Sequence, residues 1–135
     1  MPPESQGLAR ANVSKAICAL KRGGHDPYKE TFFVTCDSSM KRSSRRRGIL
    51  PCLTHRANGH WITSRGRRIR LEEMMRLQGM GPTQFIKAAS DAQLRAQLGN
   101  TMSVNVIERI LMRVLPAAGL VRHGILVDRW EMDRP

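Results

Sequence analysis

The sequence is poor in aromatic residues, with three Phe, two Trp and one Tyr among 135 residues. Proteins that bind single-stranded nucleic acids commonly stack the bases on aromatic side chains. Trp61 is the one aromatic residue in the most basic part of the sequence, between positions 41 and 70. The composition therefore gives little support to a stacking platform for single strands.

Cysteine is scarce, and its spacing forms no known pattern. Cys18, Cys36 and Cys52 are an odd number of thiols without a Cys-x-x-Cys pair, so neither a disulfide framework nor a zinc ribbon is indicated. The four histidines never lie four residues apart, as two ligands on one helix face would. We therefore expect no metal site and reduced thiols, as in a nuclear or cytoplasmic protein.

Long apolar runs are absent as well. No stretch approaches the roughly 20 apolar residues that span a bilayer, and the first residues, MPPESQG, lack the apolar region of a secretory signal. These absences predict a soluble, unexported protein of the nucleus or cytoplasm with no membrane partner.

Acidic residues are few, with 11 Asp and Glu against 23 Lys and Arg, for a formal net charge of +12. Ten cations between positions 41 and 70 are not interrupted by any acid: Lys41, Arg42, Arg45, Arg46, Arg47, Arg56, Arg65, Arg67, Arg68 and Arg70. Such a block repels itself unless an anion neutralises it, and phosphate backbones do so with release of counterions. Nucleic acid is the favoured class of partner, and a solvated basic loop without a specific ligand is the alternative. The candidate DNA contacts are Arg45, Arg46, Arg47, Arg65, Arg67 and Arg68.

Apolar periodicity predicts four helices. They lie in residues 5–23, in the segment from Leu71 to Gly79, after the cap Ser90 up to position 98, and in 104–115, where the apolar stripe is wide. In the stretch LGNT, Gly99 is predicted to end a helix in the left-handed conformation, and Asn100 or Thr101 to cap the next one.

Short strands are predicted in the N-terminal half, at residues 31–36, 51–55 and 60–64, with a hairpin turn at Asn58-Gly59. Residues 37–48 lack periodicity and are predicted to be a loop, and residues beyond 119 are predicted to form a short strand or helix. The predicted fold class is α+β, with a small N-terminal β element and a mostly helical C-terminal half.

Three segments contain residues typical of a chemical site, but the neighbouring residues argue against such a role for each of them. Gly79-Met80-Gly81 begins like a dinucleotide fingerprint, but Gln84 stands at its last position and a helix precedes it. Cys52 has basic neighbours, yet a half-buried strand cysteine is the commoner case. Glu72 and Glu73 are adjacent on a helix and point about 100° apart, so they do not form an acid/base pair.

Three segments resemble parts of the cytosine-5 DNA methyltransferases. RRIRLEEMMRLQGM, residues 67–80, is similar to a motif in which Arg is followed five residues later by Glu and then by Arg-Leu-Gln-Gly-Phe. The matching positions are Arg68, Glu73, Arg76, Leu77, Gln78, Gly79 and Met80. QLGNTMSVNVIERIL, residues 97–111, resembles the last motif, Gln-x-Gly-Asn-Ser/Ala-x-x-x-x-Val, and PCLTHRANGHWIT resembles the stretch that leaves the target recognition region.

The resemblance implies an activity whose central motifs this sequence lacks. Members of the family attack cytosine carbon-6 with the cysteine of a Pro-Cys-Gln motif, assisted by the Glu of Glu-Asn-Val, and transfer a methyl group from S-adenosylmethionine to carbon-5 of a flipped base. Neither motif occurs here, nor does the Phe-x-Gly-x-Gly cofactor loop, and Cys52 is followed by Leu53 rather than Gln. The sequence is therefore interpreted as a C-terminal fragment that contains no catalytic residue and is inactive alone.

The resemblance also divides the chain and assigns roles. Residues 1–67 correspond to a basic, target-recognition-like region, residues 68–116 to the helical C-terminal motifs, and 117–135 to a tail, so the whole is a partial piece of a Rossmann-type methyltransferase. The turn at Gly99, Asn100 and Thr101 is implied to complete the S-adenosylmethionine pocket, as a partial site. The implied organisers of the recognition region are Glu73, Arg76, Gln78 and Gly79.

Two other functions remain open from the sequence. The charge block alone suits a stand-alone basic module that binds DNA or RNA. The motif pair also suits one half of a split methyltransferase that joins a separately encoded catalytic half.

Overall fold

The computed structural model describes residues 1–54, 59–84 and 86–128. Four helices and four short strands occur in these segments, together with a 3-10 turn at Pro82–Gln84. In chain order the elements are α1 (Gly7–Arg22), β1 (Phe32–Val34), β2 (Arg45–Arg47), β3 (Trp61–Ile62), β4 (Arg67–Arg68), α2 (Leu71–Leu77), α3 (Asp91–Asn100) and α4 (Val104–Ala117). The α+β fold class is therefore confirmed.

The strands form one antiparallel sheet in the order β2-β1-β3-β4. Val34 pairs with Trp61, and the neighbouring residue Phe33 pairs with Ile62. Because successive side chains of a strand point to opposite faces, these two pairs place apolar side chains on both faces of the sheet. The sheet thus separates two apolar clusters.

Helix α1 covers the first face. Val13 and Ile17 of α1 pack with Val34 and Trp61 of the sheet, and all four are buried. The buried Asn12 fixes the helix to the loop that follows β1, since its Nδ2 donates to the carbonyls of Cys36 and Ser38 at 2.8 and 2.7 Å. A helix and a sheet face that are each apolar on one side bury that side against each other.

Helices α2 and α3 form the second cluster. Leu71 and Met74 of α2 and Leu98 of α3 pack with Ile62 of β3 and with Ile69. Ser90 caps α3 as predicted, because its Oγ accepts from the amide of Gln93 while Gln93 Oε1 accepts from the amide of Ser90.

The structure corrects three strand predictions. Arg45–Arg47 is a strand at the sheet edge rather than part of a loop over 37–48, because its backbone pairs with β1 although its side chains show no apolar alternation. Residues 51–54 contain no strand, and Cys52 is exposed rather than half-buried. The rest of that predicted strand and Asn58 of the predicted turn lie outside the described residues. The hairpin partner of β3 is β4, across a turn with Gly66 at φ +59°.

The junction between the last two helices also differs from the prediction. Gly99 lies inside α3, which continues to Asn100, and its φ is not positive. The N-cap residue of α4 is Ser103, whose side chain makes no capping hydrogen bond, so neither Asn100 nor Thr101 caps this helix. Pro116 lies within the last turn of α4 rather than after its end.

Helix α4 has no buried residue along its 14 positions. Several of its apolar side chains, including Ile107, Ile110, Leu111 and Val114, are exposed. The strand or helix predicted beyond residue 119 is not found in residues 119–128, which contain turns and bends, and the rest of the tail lies outside the described residues. None of the helices in the described segments combines the length and apolar character needed to cross a bilayer.

Candidate functional site: a basic sheet and a helix junction

Glu73 forms ion pairs with two arginines of the β3–β4 hairpin. Its carboxylate accepts from Arg67 Nη2 at 2.8 Å and from Arg65 Nη1 at 2.9 Å. Glu73 Oε2 also accepts from the backbone amide of Arg70 at 2.8 Å, at the start of α2. The bonds from Arg67 are the main reason that the pKa of Glu73 is lowered to about 2. Glu73 therefore joins the first turn of α2 to the hairpin.

Arg68 is held in a second cluster. Its guanidinium forms a two-point bond with Asp37, with Nη1 to Oδ2 at 2.8 Å and Nη2 to Oδ1 at 2.7 Å. Both side chains of this pair are only 21% exposed. Arg68 Nη1 also lies 3.0 Å from the Sγ of Cys36. Burial raises the pKa of the Cys36 thiol, although the charge of Arg68 opposes that effect. Cys36 is thus a buried, protonated thiol rather than a nucleophile.

Most arginines of the edge strand β2 are not paired with a carboxylate in the part of the chain that the structure describes. All three of its residues are exposed. Arg47 Nη2 lies 2.9 Å from Glu30 Oε2, whereas Arg45 and Arg46 form no ion pair with any residue in 1–54, 59–84 or 86–128. Lys41 and Arg42 in the preceding turn are likewise exposed and without an ion pair among these residues.

The six predicted DNA contacts therefore fall into two groups. Arg45, Arg46 and Arg47 lie together on β2, where Arg47 pairs with Glu30, while Arg65, Arg67 and Arg68 all bind carboxylates. Sequence reasoning missed this division because Asp37 and Glu73 lie on either side of the acid-free interval. The only available signal was the position of Glu73 in the motif that resembles the methyltransferases.

His60, next to this basic region, was not singled out by the sequence. It is 2% exposed, and neither ring nitrogen has a hydrogen-bond partner within the described segments. Burial lowers the pKa of His60, and the nearby carbonyls of Cys52 and Pro51 and the carboxylate of Asp37 offset part of that effect. The imidazole is therefore neutral at pH 7 and packs in the protein interior.

The second part of the candidate site is the junction of α2, α3 and α4. Gln78, directly after α2, donates from Nε2 to the carbonyl of Leu98 at 3.1 Å. The carbonyl of Gln78 accepts from the amide of Val104, the first residue of α4, at 2.8 Å. Arg76 is exposed and has no ion pair among the described residues, so its proposed organising role stays a prediction.

The predicted cofactor-side residues Gly99 and Asn100 end α3, and Thr101 follows them at this junction. Thr101 Oγ1 donates to the carbonyl of Leu98 at 3.0 Å. Thr101 also lines an apolar cavity of about 320 Å³ between α2 and α3, with Met75, Leu94 and Leu98 among its walls. Gly99 and Asn100 do not line this cavity.

These residues do not make a complete site for S-adenosylmethionine. The amide of Val104, which could have received the carboxylate of the cofactor, already donates to Gln78. The hydroxyl of Thr101 is used within the turn. No group of three or more potential metal ligands occurs in the part of the chain that the structure describes.

The comparisons with known proteins agree with the motifs. No curated protein matches the sequence. The family model described as C-5 cytosine-specific DNA methylase matches residues 8–115. This match includes α1, the whole sheet and the junction of α2 with α4 and so covers most of the 135 residues. The chain therefore belongs to the family of C-5 cytosine-specific DNA methylases.

Proposed function

We propose that this chain is the C-terminal part of a DNA (cytosine-5-)-methyltransferase, that it binds DNA through β2 and the preceding turn, and that it transfers no methyl group alone. Enzymes of the family transfer a methyl group from S-adenosylmethionine to cytosine in DNA. The sequence lacks Pro-Cys-Gln, Glu-Asn-Val and the glycine-rich cofactor loop, so neither the nucleophile nor most of the cofactor site is supplied here.

The observation that carries the DNA-binding proposal is the uncompensated charge of one segment. Lys41, Arg42, Arg45 and Arg46 lie within six consecutive positions, are exposed, and form no ion pair with a described residue. Phosphates neutralise such cations with release of counterions, and the contacts carry little sequence information. Arg47, Arg65, Arg67 and Arg68 then add weaker contacts, since each is shared with a carboxylate.

Helix α4 supports a separate role in assembly. An apolar stripe as regular as Ile107, Ile110, Leu111 and Val114 normally covers a partner surface, and none of these side chains is buried within this chain. We propose that this stripe joins a separate catalytic half. In that complex Gly99, Asn100 and Thr101 would form one wall of the S-adenosylmethionine site, with the rest supplied by the partner.

Two measurements on one preparation test the proposal. Fluorescence anisotropy with a labelled DNA duplex should give an association constant that falls linearly on a double-logarithmic salt plot, with a slope of about −4 for four phosphate contacts. Incubation of the same protein with duplex DNA and methyl-labelled S-adenosylmethionine should leave the DNA unlabelled. A flat salt response contradicts the DNA interface, and labelled cytosine contradicts the proposed inactivity.

A further inference from the structure

The first amide of α4 binds Gln78, the residue that follows α2. The first amides of an α-helix have no partner within the helix and are usually satisfied by the N-cap side chain. The side chain of Ser103 makes no such bond to the second or third amide of α4. The amide of the first residue, Val104, donates to the backbone carbonyl of Gln78 at 2.8 Å, 26 positions earlier in the sequence.

The end of α3 is held by the same residue. The last carbonyls of a helix also lack partners, and that of Leu98 accepts from Gln78 Nε2 at 3.1 Å and from Thr101 Oγ1 at 3.0 Å. One residue therefore binds the last turn of α3 through its side chain and the first turn of α4 through its backbone. The residues between these two bonds are the proposed cofactor-side turn.

The backbone around Gln78 is itself fixed by the way α2 ends. Gly79 has φ +76°, its amide donates to Arg76, and the amide of Met80 donates to the carbonyl of Met75 at 2.9 Å. These two bonds form a Schellman motif, which needs a left-handed residue and so favours glycine. A Cβ on Gly79 would also lie 3.4 Å from the amide nitrogen of Asn105 in α4. Glycine is thus favoured here by the left-handed turn, and a Cβ would only touch the first turn of α4.

We infer that Gln78 is a positioning residue that sets the turn between α3 and α4 from the end of α2. Because Glu73 holds the other end of α2 to Arg65 and Arg67, one seven-residue helix links the basic hairpin to this turn. The inference rests on the proposed function where it treats the turn as part of a cofactor site. The hydrogen-bond arrangement itself can be tested without DNA or cofactor.

The wild-type chain supplies the first test. In a protein labelled with ¹⁵N and ¹³C, the hydrogen bond predicts a measurable NMR coupling between the nitrogen of Val104 and the carbonyl carbon of Gln78. The amide proton of Val104 should also exchange with solvent much more slowly than a free amide at a helix start. A fast-exchanging Val104 amide without this coupling would overturn the inference.

The second test removes the side-chain donor while keeping its shape. In Gln78→Glu the carboxylate cannot donate to Leu98, so protection of Val104 against exchange should fall about tenfold at pH 7, the effect of one hydrogen bond. At about pH 3.3, one unit below the ordinary glutamic acid pKa of about 4.3, the side chain is mostly protonated and can donate again, so protection relative to wild type at the same pH should return. Gln78→Met should lose protection at both pH values.

The exposed Gln97 of α3 provides the matched control. Gln97→Glu adds the same charge to the neighbouring helix and should leave Val104 at its wild-type protection. A uniform loss of protection across all helices in Gln78→Glu, or a loss that low pH does not reverse, would show a general structural role and overturn the inference. Since these measurements contain no DNA or cofactor, their failure is separate from failure of the DNA-binding proposal.

Discussion

At the residue scale, the electrostatic role of each arginine depends on whether a carboxylate lies beside it. Arg67 and Arg46 are two cations of the same acid-free interval, yet Arg67 binds Glu73 at 2.8 Å and Arg46 has no ion pair within the described segments. A paired guanidinium is committed to the fold, because breaking the pair leaves a partly buried charge without compensation. An unpaired and exposed one is available to a phosphate.

Glu73→Gln should destabilise the chain by about 2 kcal/mol, because bonds from two guanidinium groups lose their charged acceptor. The pKa of Glu73 is lower in the fold than in the unfolded chain, so the unfolded chain binds the extra proton. This contribution to stability is complete above the ordinary pKa of about 4.5 and is lost as the pH falls through about 2.

Denaturant unfolding between pH 2 and 5 measures this effect. The wild type should gain stability with rising pH across that interval, and Glu73→Gln should show a smaller gain. Glu72→Gln is the matched control, since the exposed Glu72 has no ion pair in the described part of the chain. Equal pH profiles for the wild type and Glu73→Gln would contradict the assigned role.

His60 predicts a second pH dependence in a different range. Its pKa is lower in the fold than the ordinary 6.5, so the unfolded chain binds more protons and stability should decline as the pH falls below about 6.5. The slope attributable to this group is at most about 1.4 kcal/mol per pH unit. His60→Gln should flatten the profile between pH 7.5 and 5.5, while His123→Gln, at an exposed position, should not.

At the element scale, helices α3 and α4 differ in how deeply their leucines are buried. Leu98 of α3 is 5% exposed within the second apolar cluster, and Leu111 of α4 is 43% exposed. Leu98→Ala should therefore cost about 3 kcal/mol of unfolding free energy, through lost burial and a residual cavity. Leu111→Ala should change it by less than about 0.5 kcal/mol. Equal losses measured by thermal unfolding would mean that α4 is buried in solution.

Strand β2 can be tested by a change in salt dependence. Arg45→Ala combined with Arg46→Ala should reduce the slope of the double-logarithmic salt plot by about 2 for duplex DNA, since each lost phosphate contact removes about 0.9. The control removes two charges elsewhere, by Lys15→Ala on α1 and Arg113→Ala on α4, and should leave the slope unchanged. An equal reduction in both variants would indicate that net charge alone drives binding.

The elements also show how far sequence reasoning extends. Helices α1 and α2 were predicted because their buried faces repeat with the helical period, and α4 was predicted from its apolar stripe. Helix α3, with Leu98 as its one buried residue, was predicted from the local capping signal of Ser90. Strand β2 was not predictable in this way, because three arginines show no alternation and the strand exists through backbone pairing with β1. Asp37 could not be assigned to Arg68 either, since 31 positions separate the two residues. The cap of α4 comes from Gln78 and is equally non-local.

At the scale of the whole molecule, two surfaces of different chemistry are carried by different parts of the chain. The turn and strand at 41–47 carry uncompensated positive charge, and α4 carries an exposed apolar stripe. We expect DNA to bind the first surface and a catalytic half to bind the second. Binding of DNA should therefore leave α4 unaltered.

The most direct measurement is an NMR titration of the ¹⁵N-labelled chain with a short DNA duplex at low salt. The account predicts amide shift changes concentrated in residues 41–47, smaller changes in the β3–β4 hairpin and none in α4, all of them reversed by added salt. Shift changes centred on α4, or a spectrum that duplex DNA leaves unchanged, would contradict it.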